Sequence, residues 1–168
     1  KVVDLIETKY TRSLKKKRHK LLGHPTVNVG SIRGGKQPNI VPDHCEIMID
    51  RRTLPGESEK IIRIELNDLF RTKDLKVTIT NDRSSPCPAL ETDPELPLVK
   101  ELMSVLKQKH SLGVDFFCDA APLAAGGIPS VIFGPGDIAQ AHTENEWISI
   151  KSLNLAAAQL KKFLTSMP

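Results

Sequence analysis

The residues best suited to chemistry lie in a loop near the C-terminus, from Phe133 to Trp147. Its Gly-Pro-Gly turn is followed by His142, with Glu144 and Glu146 close behind. A neutral imidazole could bind Zn²⁺ or Co²⁺ through one nitrogen while a nearby carboxylate orients the other. A single histidine in a polar loop is more often an ordinary loop residue than a metal ligand. Both interpretations of His142 stay open at this point.

The first half of the chain, residues 1–85, has to position its polar side chains on a small sheet. Its apolar spacing predicts a helix at 1–22, strands at 27–34 and 44–52, a helix capped by Ser58 and a strand at 75–79. This order is that of a ferredoxin-like βαββαβ domain without its first strand. We therefore expect an incomplete α+β domain whose sheet begins upstream of the first residue.

The second half, residues 86–168, follows a serine- and proline-rich stretch that is typical of a linker between domains, and we place the boundary there. The pattern then predicts a helix near Asp93, a short helix at 119–127, a buried strand at 128–133 and a helix at 151–165. The last helix is expected to bury Leu153, Ala157, Leu160 and Leu164. We expect the C-terminal edge of an α/β domain whose other strands lie elsewhere.

The composition argues against several classes of protein. The three cysteines have no Cys-x-x-Cys spacing, which argues against a disulfide framework and against a cysteine-bound zinc. They favour a protein of the reducing cytoplasm. No run of about 18 apolar residues is present, so we expect no membrane span. Aromatic residues make up 4% of the chain and are absent from the strands predicted in the first half, which argues against a nucleic-acid partner. The net charge of +4 is modest, and the basic run at 15–20 fits a solvated helix end.

Several short motifs follow one another along the chain. They are Pro25-Thr26-Val27-Asn28-Val29-Gly30, Gly34-Gly35, Pro38-Asn39-Ile40-Val41-Pro42, Asp50-Arg51-Arg52-Thr53-Leu54-Pro55-Gly56, Cys118-Asp119-Ala120-Ala121, Gly134-Pro135-Gly136 and Ala141-His142-Thr143-Glu144-Asn145-Glu146-Trp147. This set resembles the M20 family of metallopeptidases and amidohydrolases, of the acetylornithine deacetylase and succinyl-diaminopimelate desuccinylase type. The earlier motifs look like the family's lid, or dimerisation, domain. The later ones look like the end of its zinc-peptidase-like catalytic domain.

The resemblance implies roles for three residues. His142 would bind one metal of a two-metal site that holds Zn²⁺ or Co²⁺. Arg52 would pair with a substrate carboxylate, which a guanidinium holds through two parallel hydrogen bonds. Asn39 would donate a hydrogen bond near the scissile carbonyl. The alternatives are an ion pair from Arg52 to Asp50 or Glu46 on its own strand, and an Asn39 that only caps a turn.

The resemblance also implies that the chain is a C-terminal fragment. The family's other metal ligands and its general base would precede Lys1, so we expect no catalytic residue in the fragment and no activity from it alone. Cys118 stands where the family has threonine, and Asp119 either lines the pocket or caps the next helix. The parent enzyme would hydrolyse an N-acyl amino acid or a peptide as a homodimer joined through its lid. The rival expectation is a non-catalytic dimerisation or binding module.

Overall fold

A computed structural model describes residues 1–81 and 87–167 of the chain. The structure divides into two compact units. Unit 1 contains Lys1–Leu90 and Gly113–Pro122, and unit 2 contains Glu91–Leu112 and Leu123–Pro168. The boundary that we predicted between residues 85 and 86 lies outside the described residues. Both helices and a sheet are present, so the fold is a mixed one.

Unit 1 opens with three consecutive segments that form one helix: α1 Val2–Leu5, a π-helical turn Ile6–Tyr10 and α2 Thr11–Leu14. We call these segments the N-terminal helix. Its buried side chains are Leu5, Ile6, Tyr10 and Leu14. The Thr11 hydroxyl donates to the carbonyl of Ile6 at 2.9 Å, a bond five residues back that fits the widened π-helical turn.

The N-terminal helix is shorter than the sequence predicts. It ends at Leu14, and the residues after it form turns that close on two backbone hydrogen bonds between His19 and Gly23. A helix through this region would stack the cations at 15–18 and 20 at spacings of three and four residues. Like charges at those spacings destabilise a helix, which explains the early end.

The sheet of unit 1 has two antiparallel strands, β1 Thr26–Gly34 and β2 Cys45–Arg52. Thr26 pairs with Arg52 at one end, and a bulge interrupts the register between Val29 and Ser31. Side chains on β2 alternate as predicted from Ile47 onward, with Ile47 and Ile49 half-buried and Met48, Asp50 and Arg52 exposed. Cys45, which was predicted on the core face, is exposed. One face of the hairpin therefore lies on the core and the other carries charge.

Helix α3, Glu59–Arg71, completes the core of unit 1. It begins where predicted, because the Ser58 hydroxyl accepts a hydrogen bond from the Ile61 amide at 3.3 Å. Its buried stripe is Ile62, Leu66 and Phe70, and these side chains pack with those of the N-terminal helix. Each such buried side chain stabilises the fold by about 2 kcal/mol.

The strand predicted at 75–79 is not formed, and that prediction was wrong. Leu75 and Ile79 do pack against the core, but Val77 between them is exposed, so the predicted alternation is kept only in part. Arg63 donates from its guanidinium to the carbonyl of Ile79, and Asn81 donates to Glu59 at 3.1 Å. No backbone within 1–81 or 87–167 pairs with the segment, and a strand needs such a partner in addition to an apolar face.

Unit 2 is built on α4 Pro97–Leu106 and α6 Ile150–Ser166, which pack on each other. Helix α4 begins later than Asp93, with a proline in the first turn where its missing N–H costs nothing. A short helix α5, Ala120–Ala125, lies within the span predicted for it. A 3₁₀ turn covers Ile138–Gln140.

Two predictions for unit 2 were wrong. Residues 128–133 form no strand, and Ile128, Val131 and Ile132 are exposed, because no described strand offers them a hydrogen-bonding partner. Helix α6 buries Ala156, whereas Leu153, Leu160 and Leu164 are exposed and Ala157 is exposed as well. The least exposed residues of the helix are Ser152, Ala156, Gln159 and Phe163, which share one helical face. No helix in the described ranges has the length and apolar content to cross a lipid bilayer.

Candidate functional site

Arg52 ends β2 on the polar face of the hairpin. Its Nε and Nη2 both donate to one carboxylate oxygen of Asp50, at 3.1 and 2.9 Å. This is the same-strand ion pair that the sequence left as an alternative. The two side chains are 55% and 53% exposed, so the pair lies in solvent. It occupies one edge of the guanidinium, and the Nη1 edge has no partner among the described residues.

Asn39 lies in a turn of the connection between β1 and β2 and is exposed. The turn is closed by the backbone, with the Ile40 amide donating to the Gln37 carbonyl at 3.2 Å. The Asn39 side chain makes no hydrogen bond within the described part of the chain, so the structure does not show it as a cap. Its amide remains available to donate to a ligand.

The two lid candidates do not lie together. The connection that carries Asn39 leaves the hairpin where Gly34 pairs with Cys45, and Arg52 pairs with Thr26 at the other end. A strand advances about 3.3 Å per residue, so these ends are about 20 Å apart. Within one chain, Asn39 and Arg52 are therefore attached at opposite ends of the hairpin.

The loop that carries His142 belongs to unit 2 and is held by its own polar residues. Asp137 accepts from the Ala139 amide at 2.9 Å, and the Thr143 hydroxyl donates to the Gln140 carbonyl at 2.8 Å. Glu146 accepts from the backbone N–H of His142 at 3.1 Å. The carboxylate thus anchors the His142 backbone, and the ring-orienting role that the sequence suggested for it is not seen.

His142 has a left-handed backbone conformation, with φ of 60°. Residues other than glycine adopt this conformation rarely, and histidine is among the few that are enriched there. A left-handed residue costs about 1–3 kcal/mol, and such residues concentrate at functional sites. The imidazole of His142 is exposed at the surface of the loop, while the backbone of the residue is held by the bond to Glu146.

The described residues supply one candidate metal ligand at this loop, His142, and no complete site. Across 1–81 and 87–167, no three histidine, cysteine, aspartate or glutamate side chains converge in a way that could hold a metal ion. A catalytic zinc site needs three protein ligands with an open fourth position. His142 fits a ligand role in its exposure and its conformation, and any site that includes it takes its other ligands from elsewhere.

Sequence analysis overlooked the most strongly connected polar group in unit 1. Arg51, next to Arg52, points to the core side of β2, and its side chain is only 6% exposed. Its Nη2 donates to Glu57 at 2.7 Å and its Nε donates to the Tyr10 hydroxyl at 3.2 Å. A signal was present, because the period-2 pattern puts Arg51 on the same face as Ile49. An arginine on a core-facing position requires a buried partner.

Glu57 and Lys17 extend this group, which we call the Arg51 network. Lys17 donates from Nζ to Glu57 at 2.7 Å and to Glu65 at 2.6 Å. The Tyr10 hydroxyl donates to Glu65 at 3.2 Å, so the N-terminal helix and α3 are both tied to β2. The five members are Tyr10, Lys17, Arg51, Glu57 and Glu65.

Ionisation in the Arg51 network follows from burial and from these bonds. Burial alone would raise the pKa of Glu57, but hydrogen bonds from Lys17 and the Leu54 amide and the charge of Arg51 outweigh it and lower the pKa. Burial would lower the pKa of Lys17, and its bonds to two glutamates raise it instead. Burial raises the pKa of Tyr10 despite the opposing effect of Arg51.

Comparison with known proteins gives a consistent picture. Residues 7–78 match the family model of the peptidase dimerisation domain of M20 enzymes. Acetylornithine deacetylase of Aliivibrio salmonicida is 29% identical over 145 residues, which cover 84% of this chain and 38% of that protein. N-formyl-4-amino-5-aminomethyl-2-methylpyrimidine deformylase of Bacillus subtilis is 31% identical, covering 78% of this chain and 35% of that protein.

A solved structure shares the fold. The crystal structure of a tripeptidase from Staphylococcus aureus superposes with a TM-score of 0.63 at 24% identity, covering 96% of this chain and 44% of that one. The chain spans just over a third of the length of the two curated relatives named above. With the dimerisation domain matched and deacylases aligned along most of its length, the chain belongs to the M20 family of peptidases and amidohydrolases.

Proposed function

We propose that this chain carries the lid domain and the end of the catalytic domain of an enzyme that hydrolyses the amide bond of an N-acyl amino acid. One observation supports this above others. Two relatives whose names describe removal of an acyl group, acetyl in one and formyl in the other, align with 84% and 78% of the chain. A peptide is the second substrate class, favoured by the match of residues 7–78 to a peptidase dimerisation domain.

In this proposal Arg52 binds the substrate carboxylate and Asn39 donates to the substrate near the scissile carbonyl. The open Nη1 edge of Arg52 and the unbonded amide of Asn39 support these roles. Because Arg52 and Asn39 lie at opposite ends of the hairpin, we assign them to two contact points. One chain can offer both to a long substrate, and two chains of a dimer can offer them to a short one.

His142 is proposed as one metal ligand of the whole enzyme, in a two-metal site for Zn²⁺ or Co²⁺ that other segments complete. When bound, such a metal polarises an amide carbonyl and activates water at neutral pH. This chain contributes the imidazole of His142, a residue whose left-handed backbone is anchored by the bond from its N–H to Glu146. We assign no general base to it, and we expect no hydrolysis by these 168 residues alone.

We further propose that unit 1 is a ferredoxin-like lid that lacks its first strand, and that it forms a homodimer in the cytoplasm. The match of residues 7–78 to a dimerisation domain supports the pairing. The packing of Leu75 and Ile79 against the core of unit 1 supports the topology, since these residues lie where the last strand of such a lid is expected. A dimerisation module without catalysis is the alternative.

The activity is tested in the full-length enzyme with N-acetyl-L-ornithine, by following release of the free amine. We expect Arg52→Lys to raise KM about tenfold, because a lysine cannot form the two parallel bonds to a carboxylate. Arg33→Lys is the matched control, since Arg33 is exposed on β1. No hydrolysis of any N-acyl amino acid or peptide by the full-length protein would favour the non-catalytic alternative.

The metal role is tested by calorimetry of this chain with Zn²⁺. We expect weak binding that disappears in His142→Ala and persists in His110→Ala, which removes another exposed imidazole. Tight stoichiometric binding that survives His142→Ala would mean that a complete site is built from other residues and would contradict the proposal.

A further inference from the structure

Two adjacent arginines on β2 have opposite environments. The side chain of Arg51 is 6% exposed, whereas that of Arg52 is 55% exposed on the other face of the strand. Successive residues of a strand point to opposite faces, so the position of one fixes the backbone of the other. Contacts that hold the Arg51 side chain therefore also restrict the backbone from which the Arg52 side chain extends.

The Arg51 network holds the backbone on both sides of Thr53. Nη1 of Arg51 donates to the carbonyl oxygen of Arg52 itself. One oxygen of Glu57 accepts from Arg51 at 2.7 Å, and the other accepts from the Leu54 amide at 2.9 Å. The segment that follows Arg52 is thus held from the core side by charged groups, where β2 has already ended.

Lys17 makes this arrangement rigid. It shares the Glu57 oxygen that Arg51 uses, at 2.7 Å, and also reaches Glu65 at 2.6 Å. The connection between β2 and α3 is therefore linked through Lys17 to α3 and to the turns after the N-terminal helix, as well as to its own strand. Side chains that bind a ligand work best when neighbouring residues lock their position in advance.

We propose that Arg51 and Glu57 are positioning residues that hold Arg52 in place to bind the carboxylate of the substrate. This inference rests on the proposed function, in which Arg52 makes that contact. Asp50 orients the guanidinium from the outer face, and the Arg51 network fixes the backbone from the inner face. Neither Arg51 nor Glu57 touches the substrate.

Steady-state kinetics of the full-length enzyme with N-acetyl-L-ornithine test this inference. Arg51→Lys keeps the charge opposite Glu57 but loses the donor to the Arg52 carbonyl, and Glu57→Gln loses the charge. We expect both to raise KM about tenfold while kcat changes less than about twofold, as supporting residues around a ligand contact do. Glu59→Gln, which removes an exposed ion pair with Arg63, is the control and leaves KM unchanged.

A second readout follows the geometry in this chain without any substrate. By NMR, amide exchange at Leu54 is expected to be at least about tenfold faster in Glu57→Gln, and the Arg52 Nε–H resonance is expected to shift in Arg51→Lys. If both variants only lower the melting temperature, with KM and the Arg52 resonance as in the parent, the positioning role is overturned and the proposed function stands. If Arg52→Lys leaves KM unchanged, Arg52 does not bind the substrate carboxylate. That result would contradict both its proposed role and the positioning role of Arg51 and Glu57.

Discussion

At the scale of single residues, the clearest departure from ordinary geometry is the left-handed backbone of His142. Its neighbours Asp137, Thr143 and Glu146 all make hydrogen bonds to backbone groups of the same loop. These hydrogen bonds within the loop therefore offset the cost of the left-handed conformation at His142. Strain that is kept at one residue, with its ring left exposed, is more typical of a ligand-binding position than of a passive loop.

The strain at His142 predicts an ordering of variants. Glycine adopts a positive φ without a steric penalty, whereas alanine pays about 1 kcal/mol. We expect His142→Gly to be more stable than His142→Ala by about that amount, measured by urea denaturation followed by circular dichroism. Equal stabilities would show that position 142 does not hold the left-handed conformation in solution.

At the scale of elements, α4 ends on a side chain that is unfavourable at its position. Lys107 caps the helix with φ of 55°, and its amide donates to the Ser104 carbonyl at 3.1 Å. Glycine is the common residue at a left-handed helix end because it lacks the Cβ that clashes there. The helix is therefore less stable than its apolar face would allow.

Replacing Lys107 by glycine is expected to stabilise the protein by about 1 kcal/mol, because the left-handed penalty is removed. Lys100→Gly in the middle of α4 serves as the matched control. It should destabilise by about 1 kcal/mol, since glycine weakens a helix interior. The free energy of unfolding in urea measures both, and the same sign for the two variants would contradict this account of the helix end.

The Arg51 network ties the N-terminal helix, β2 and α3 together, and it makes stability depend on pH. The pKa of Glu57 is lowered in the folded protein, so its contribution is present above about pH 4.5 and is lost as the pH falls through the folded value. The pKa of Lys17 is raised, so its contribution is present below about pH 10.5 and is lost as the pH rises through its folded value. The pKa of Tyr10 is also raised, so its contribution to stability is likewise lost as the pH rises into the alkaline range.

Glu57→Gln should therefore destabilise the chain by about 3 kcal/mol at neutral pH, because it leaves the buried Arg51 without its charged partner. It should also reduce the loss of stability between neutral pH and about pH 4. Arg52→Met removes an exposed pair on the same strand and is expected to cost less than about 1 kcal/mol. Thermal unfolding across that pH range measures all three proteins, and parallel pH curves for the parent and Glu57→Gln would refute the assignment.

At the scale of the whole molecule, the matched dimerisation domain covers most of unit 1. If unit 1 is sufficient for pairing, the chain should have twice its monomer mass of 18.6 kDa by light scattering. Dilution should reveal the monomer at low concentration. A monomer at every concentration would contradict pairing through this domain alone.

The sequence alone determined the family and the elements whose signals are local. The motifs identified the M20 family. Ser58 marked the start of α3, because a cap and an apolar stripe depend on residues within a few turns of one another. The two faces of β2 followed in the same way from strand geometry. Tertiary structure decided what needs a distant partner. Residues 75–79 and 128–133 had strand-like patterns but pair with no backbone in the part of the chain that the structure describes. The N-terminal helix ended early, and Arg51 acquired partners from that helix and from the connection before α3. Pairing and burial are properties of the assembled fold, which a one-dimensional pattern does not contain.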